Sequence, residues 1–372
     1  MNKSLLVISH TEHYRNERGD VVGWEATVRE IDELATIFEH VIHAACFYSG
    51  TVPSGVAGYS RSNVTFIPLP PFGGKGLRKL SIFYTAPVII WKVFSALKRV
   101  THFQFRAPTS MGVYLIPLLT WFAKKGGWFK FAGNWAEQNP PLSYSLQRRF
   151  LAECQSRPVT INGKWKNQPH HCFTFENPCL DHSNLISGRK SLEKKSFMPP
   201  FTLCFSGRLE NAKGVNRILD SLMNLTNPGL IKVVHFVGDG DQRFQYEHVA
   251  SKLPIRCIFH GFLSRDQLFK IFEEADFFLL PSTASEGFPK VVAEAANFGC
   301  VPVVSNISSI PQYVDDNCGF VWDTRNDFTN YLSQVLNSTP EALKVRAGKA
   351  HTMATHFTYT RYIDRINQEV LN

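Results

Sequence analysis

Arg208 and Lys213 stand five positions apart in the run Ser206-Gly207-Arg208-Leu209-Glu210-Asn211-Ala212-Lys213-Gly214. An arginine offers phosphate oxygens a planar fork and a lysine offers a mobile point charge, so the pair suits a diphosphate. A helix opening just after the loop adds free amides and a partial positive charge. Alone, such a pair is also what an ordinary solvated loop carries. Further along, Glu286 and Glu294 frame the stretch Gly287-Phe288-Pro289-Lys290, with seven residues between the two carboxylates. Carboxylates accept paired hydrogen bonds from vicinal diols, so one can read sugar hydroxyls and the other ribose hydroxyls. Pro289 fits the first helical position, where a missing N–H costs nothing. The remaining amides of 287–291 are then free for an anion or for sugar oxygens. Gly238-Asp239-Gly240 and His260-Gly261-Phe262 each follow an apolar run. Their glycines let backbone approach a ligand closely, and Phe262 offers an apolar edge to a base. His260 by itself reads as a packed histidine.

These residues act together only if elements of the fold bring them together. Each set follows a short apolar run, and the runs alternate with helical patterns: Phe201–Phe205, 214–224, Val233–Val237, 241–252, Ile255–Phe259, 265–274, Phe277–Leu280, 289–298 and Val301–Val304. Such alternation predicts a doubly wound parallel sheet, whose ligands bind beyond the carboxyl ends of the strands. The first half repeats the pattern, with strands at Leu5–Ile8, Val41–Ala45, Val64–Leu69, Phe103–Phe105 and Trp128–Ala132. Its helices fall near 28–38, 80–98 and 113–122. Residues 181–200 are polar and end in two prolines, which reads as a linker. The expected organisation is α/β throughout. A Rossmann-like domain at 1–180, a linker at 181–200 and a second Rossmann-like domain at 201–352 face each other across a cleft. A last helix at 353–372 is able to pack back on the first domain.

As an ordered set the motifs resemble the group 1 (family 4) retaining glycosyltransferases. The set runs Gly207-Arg208, Lys213-Gly214, Gly238-Asp239-Gly240, His260-Gly261, Ala275-Asp276, Pro281-Ser282, Glu286-Gly287-Phe288-Pro289, Glu294-Ala295 and Gly299 to Val304. The resemblance covers most of 201–322. It implies a GT-B fold and retaining transfer from a nucleotide-diphosphate sugar, with no metal or other cofactor. By that resemblance Arg208 and Lys213 hold the diphosphate, Glu286 meets the donor sugar, and Glu294 meets the ribose. The Gly287–Lys290 loop supplies amides. In the first half the resemblance puts Gly23 near the diphosphate and Arg106 on a strand-to-cleft segment. Asn134, beside Trp135, takes a position where many members carry histidine, and an asparagine can position a group but cannot serve as a base. Arg106, Asn134 and Trp135 are thus the expected acceptor side.

The charge supports an anionic partner for the first half. Residues 61–166 hold 16 basic groups against Glu137 and Glu153, whereas 201–372 hold 16 basic against 18 acidic groups. A one-sided basic field needs an anionic ligand or surface. Leu80 to Leu97 is almost wholly apolar but carries Pro87 and Lys92 and is short for a span. With Lys75, Arg78, Lys79, Lys98 and Arg99 beside it, it suits a buried helix or one resting on an anionic leaflet. No Cys-x-x-Cys pair is present among the eight cysteines, so zinc is not expected and free thiols are. The opening MNKSLLVISH is too short in apolar residues for a signal peptide. The expected setting is cytoplasmic, peripheral at the inner membrane face. The expected partners are a nucleotide-sugar donor and a glycan or lipid-linked acceptor of a surface polysaccharide such as O-antigen or capsule. Sugar-nucleotide epimerases share the fold and are the enzymatic alternative. A nucleic-acid binder would explain the basic first half but not the ordered donor set, so no nucleic acid is expected.

Overall fold

The computed structural model describes residues 3–72 and 81–372. The chain folds as two compact units, Met1–Phe175 with Tyr359–Asn372, and Glu176–Thr358.

The first unit is built on β1 (Ser4–Arg15), β2 (Val21–Trp24), α1 (Glu25–Leu34), β3 (His40–Phe47), β4 (Val56–Gly58), β5 (Val64–Leu69), α2 (Ser81–Leu97), β6 (His102–Ala107), α3 (Gly112–Phe122), β7 (Gly126–Phe131), α4 (Leu142–Glu153), β8 (Val159–Ile161) and β9 (Cys172–Thr174). Its parallel strands run β5-β3-β1-β6-β7-β8-β9, with β2 and β4 added antiparallel on the extended end of β1. Covered on both faces, the central strands are near-continuous apolar runs such as Leu5–Ile8, fully buried. One face packs α2 and α3 through Ile89, Val93, Leu115 and Leu119. The other packs α1 and the C-terminal helix Tyr359–Arg365 through Ile31, Leu34, Tyr362 and Ile363. Leu80, Lys75, Arg78 and Lys79, expected at the start of the long helix and on its flank, lie outside the described residues.

The second unit comprises α5 (His182–Lys194), β10 (Phe201–Ser206), α6 (Val215–Met223), β11 (Ile231–Val237), α7 (Arg243–Ala250), β12 (Cys257–Gly261), α8 (Arg265–Glu274), β13 (Phe277–Leu280), α9 (Lys290–Asn297), β14 (Val301–Ser305), β15 (Phe320–Trp322), α10 (Phe328–Leu336) and α11 (Pro340–Ala354). All six strands are parallel in the order β12-β11-β10-β13-β14-β15. The order reverses between β10 and β13, which is the doubly wound arrangement with its switch point there. β10, β13 and β14 are buried along their whole length.

The stretch 181–200, expected as a linker, is instead part of this unit. Asp181 caps α5 by accepting from Asn184 N, and the Asn184 side chain returns to the Asp181 amide. The helix buries only a narrow stripe. Gly188 lies against α9, where an added Cβ would stand 2.3 Å from Asn297 O, and Ser191 Oγ donates to Phe298 O at 3.1 Å. A stripe made of glycine and serine carries almost no hydrophobic signal, which is why the segment reads as polar. The unit boundaries fall at 175/176 and 358/359 rather than at 180 and 352.

Candidate active site

At the switch point of the second unit, the loop after β10 and the loop after β13 are joined. Thr283 N donates to Ala212 O at 2.8 Å and Ser282 Oγ to the same oxygen at 3.1 Å. Gly214 sits at φ +92°, and a Cβ there would stand 2.3 Å from Pro281 O, so only glycine lets the loops meet. Arg217, on the first turn of α6, donates to Pro281 O at 3.1 Å and braces the junction. This contact brings Lys213 Nζ and Glu286 Oε1 to 2.5 Å. Both are largely shielded, with 18% and 31% of their side-chain surfaces exposed. Arg208 points outward at 72% exposure, with Glu210 loosely beside it at 3.8 Å. One side of the switch point therefore carries a carboxylate, an ammonium and an exposed guanidinium at adjoining strand ends.

The other second-unit residues divide by what faces outward. Gly238, at φ +124°, would put a Cβ 1.9 Å from Gly207 O, so these two glycines first serve the packing of neighbouring strand ends. Gly238 N also donates to Gly261 O at 2.8 Å. Phe262 is exposed just beyond β12. The ring of Phe288 is buried, stacked on Phe357 at 4.4 Å, so only the backbone of Gly287 and Phe288 is available to a ligand. Pro289 is the N-cap of α9 rather than its first residue, and Lys290 opens the helix. Glu294 pairs with Arg265 at 3.4 Å, and the guanidinium lies 4.3 Å over the Phe269 ring. Sequence reasoning missed Arg265. Its signal was a cation at the first position of α8, where the helix dipole disfavours it. His260 bonds His235 at 2.8 Å and is a packed histidine, as read. Burial, then the neighbouring His260 and Arg256, holds the His235 imidazole down to about 4.

Residues 189–351 match the family model for group 1 glycosyl transferases. The match takes in less than half of the chain and lies wholly within the second unit. Sequence relatives include a GDP-mannose-dependent alpha-(1-6)-phosphatidylinositol dimannoside mannosyltransferase of Mycobacterium tuberculosis, 29% identical over 43% of this chain and 41% of the relative. An uncharacterized glycosyltransferase of Methanocaldococcus jannaschii is 29% identical over 32% of this chain and 31% of its own length. The match thus spans less than half of either relative. Solved structures similar over nearly the whole chain include Anabaena HepE in complex with UDP, with a TM-score of 0.69, 16% identity and 98% of each chain covered. Sucrose-phosphate synthase of Thermosynechococcus elongatus gives a TM-score of 0.72 at 14% identity, again over 98% of each chain. The fold is GT-B, with two Rossmann-like domains, as expected. The matched segment contains the Arg208, Lys213, Glu286 and Glu294 set, all in the second unit.

Outside the matched segment, the first-unit expectations fare differently. Gly23 lies in strand β2 opposite His13, not in a loop, and a Cβ there would stand 2.3 Å from His13 Nε2. Its smallness makes room for that imidazole. Trp135 is in the core, edge-on to Phe131 at 5.1 Å, and not on an acceptor surface. Asn134 Oδ1 accepts from Ala136 N at 3.1 Å and shapes the turn after β7. Arg106 donates to Glu30 Oε2 at 3.2 Å, beside Lys130 Nζ at 2.6 Å and Tyr362 OH at 3.0 Å from Glu30 Oε1. Arg106 also reaches a cavity at the strand ends, walled by segments 9–12 and 106–110, that no sequence motif marked. No helix among the described residues is long and apolar enough to cross a membrane. The eight cysteines are all free.

Proposed function

We propose that the protein transfers a glycosyl group from a nucleoside-diphosphate sugar to a glycan or lipid-linked acceptor, with retention of anomeric configuration and without a resident metal. The observation that carries this reading is the 2.5 Å Lys213–Glu286 pair at the switch point of the second unit. A diphosphate arriving at Arg208 and the start of α9 competes with Glu286 for the Lys213 ammonium. Glu286 is then released to accept hydrogen bonds from the donor sugar. As the nucleoside diphosphate leaves, negative charge grows on its oxygens, and Arg208, Lys213 and the N–H groups of 287, 288, 290 and 291 stabilise it. Removing one such group costs on the order of 100-fold in rate. The relatives named for mannosyl transfer and the UDP-bound neighbour support an activated sugar as donor. The test is thermal shift against a panel of UDP-, GDP- and ADP-sugars. One donor raises the Tm of the parent by mass action, and Lys213→Ala and Glu286→Gln lose most of that shift. No stabilisation by any sugar nucleotide overturns the reading, and NMR of the product anomer decides retention.

We further propose work at the cytoplasmic face of a membrane, in assembly of a surface polysaccharide such as O-antigen or capsule. The support is a set of exposed aromatics within the basic segment 61–166: Phe83, Tyr84 and Trp91 on α2, and Trp121 and Phe122 on α3. Exposed Lys98 and Arg99 follow α2, and Lys124 and Lys125 follow α3. Aromatic rings beside cations suit an anionic lipid surface. Salt-sensitive co-sedimentation with anionic vesicles is the measurement that checks it.

A further inference from the structure

Among the described residues, two that are not glycine have left-handed backbone, Phe197 at φ +54° and Ser308 at φ +52°. Such conformations cost free energy and persist where the surroundings impose them. The ring of Phe197 is wholly buried, so core packing accounts for it. Ser308 has no such anchor. It is half-buried, in the turn that follows β14. Ile310 N donates to Ile307 O at 3.1 Å and closes that turn, with Ser308 the second of its four residues. Glycine takes a positive φ at this place in a turn with no Cβ penalty. A serine there is the less stable choice unless its hydroxyl does something glycine cannot.

That hydroxyl meets the donor-side loop. Ser308 Oγ accepts from Glu286 N at 3.3 Å. The same segment presses on the far side of Gly287, where the Tyr313 ring packs edge-on to Phe288 at 5.0 Å. Segment 306–313 thus grips the loop after β13 on both sides of Gly287. The start of that loop is held from the α6 side, by the bonds of Ser282 and Thr283 to Ala212 O and by Arg217, which reaches Thr283 Oγ1 at 3.3 Å. Between the two anchors stands Glu286, whose carboxylate meets Lys213. The Ser308 contact falls on the backbone of residue 286 itself, so it fixes the point from which that carboxylate projects.

We propose that Ser308 is a positioning residue for recognition of the donor sugar. It keeps strained backbone and in return fixes the Glu286 amide, and through it the Glu286 carboxylate. The assignment rests on the transferase reading above and deepens it. In that reading Glu286 serves the sugar, whereas Arg208 and Lys213 serve the diphosphate, so loss of the Ser308 hydroxyl separates the two. The full chain and its Ser308→Gly and Ser308→Ala variants are titrated calorimetrically with the panel of UDP-, GDP- and ADP-sugars, and with UDP, GDP and ADP. Both variants weaken the sugar nucleotide that the parent binds by at least about fivefold. Binding of the matching nucleoside diphosphate stays unchanged. In a Glu286→Ala background neither substitution weakens the sugar nucleotide further, because Ser308 acts through that side chain. Thermal unfolding reads the strain separately. Ser308→Gly melts about 2–4 °C above Ser308→Ala, since both lack the hydroxyl and only alanine keeps a Cβ. Equal loss of the bare nucleoside diphosphate, undiminished binding of the sugar nucleotide, full additivity with Glu286→Ala, or equal Tm for the two variants overturns the role of Ser308. When the parent still binds a sugar nucleotide in those cases, the transferase reading stands. If no sugar nucleotide binds the parent, that reading falls and takes this assignment with it.

Discussion

Thr11 O is a pure acceptor, so His13 Nδ1, 2.9 Å away, must donate to it. That choice sets the direction of a buried chain. His13 Nε2 then accepts from Tyr59 OH at 2.9 Å, the Tyr59 oxygen accepts from His43 Nδ1 at 2.6 Å, and His43 Nε2 accepts from Ser9 Oγ at 2.8 Å. The chain requires two neutral imidazoles and holds the β1 segment that walls the first-unit cavity. Burial pushes His13 down to about 4, and burial, then the His13 and Arg106 charges, push His43 well below the ordinary value. Both folded values are depressed, so the unfolded chain takes up protons first as pH falls. Stability is therefore full above about pH 6.5 and declines toward pH 4, by up to about 1.4 kcal/mol per pH unit for each histidine. Tm measured across that window should fall less steeply for His13→Gln than for the parent, and an unchanged slope would count against the account. None of this was legible in the sequence. Positions 9, 13, 43 and 59 share no spacing, and Gly23 was read as a ligand-side glycine when it makes room for His13. Arg208, Lys213, Glu286 and Glu294 could be picked out because they lie in the loops after the apolar strands β10 and β13 or on the helix that follows.

Helix α2 shows how far an element can be read from its residues. Its apolar composition was evident, but which apolar residues meet the core was not. Ile89, Val93 and Ala96 are buried, whereas Phe83, Tyr84 and Trp91 stand in solvent, Phe83 and Tyr84 at 74%. A helix with large apolar residues on its outer as well as its inner face does not mark the inner one by composition. The outer rings contribute nothing to folding stability, so Phe83→Ser with Trp91→Ser should leave Tm within about 0.5 kcal/mol of the parent. The same pair should abolish most co-sedimentation with anionic vesicles, and undiminished binding would show that the aromatic face is not the contact. By contrast α5 was hidden, because glycine and serine line its buried stripe.

At the scale of the whole molecule the chain returns to its first unit after Thr358. Tyr362 OH reaches Glu30, Arg365 Nη2 donates to Thr174 O at 2.6 Å, and the Arg365 guanidinium lies 4.2 Å over Phe175. Glu30 is wholly buried, so losing a partner leaves acceptor capacity unmet. Tyr362→Phe should cost about 1–3 kcal/mol. A chain ending at Thr358 should lose hydrogen-exchange protection in β1, β6 and β7 while Glu176–Thr358 keeps its own. Uniform protection after truncation would mean the segment is not part of the first unit.

By itself the sequence determined the fold class, most of the strand and helix alternation and the loops that carry Arg208, Lys213 and Glu286. Those features are local: a buried parallel strand is an apolar run, and the residues after it are its C-terminal loop. Tertiary structure alone decided the contact of Lys213 with Glu286, the pairing of Glu294 with Arg265, the burial of Trp135 and the cavity beside Arg106. Each depends on which strands are neighbours and how loops cross the switch points, and no periodicity along the chain encodes contacts between residues 30, 106, 130 and 362.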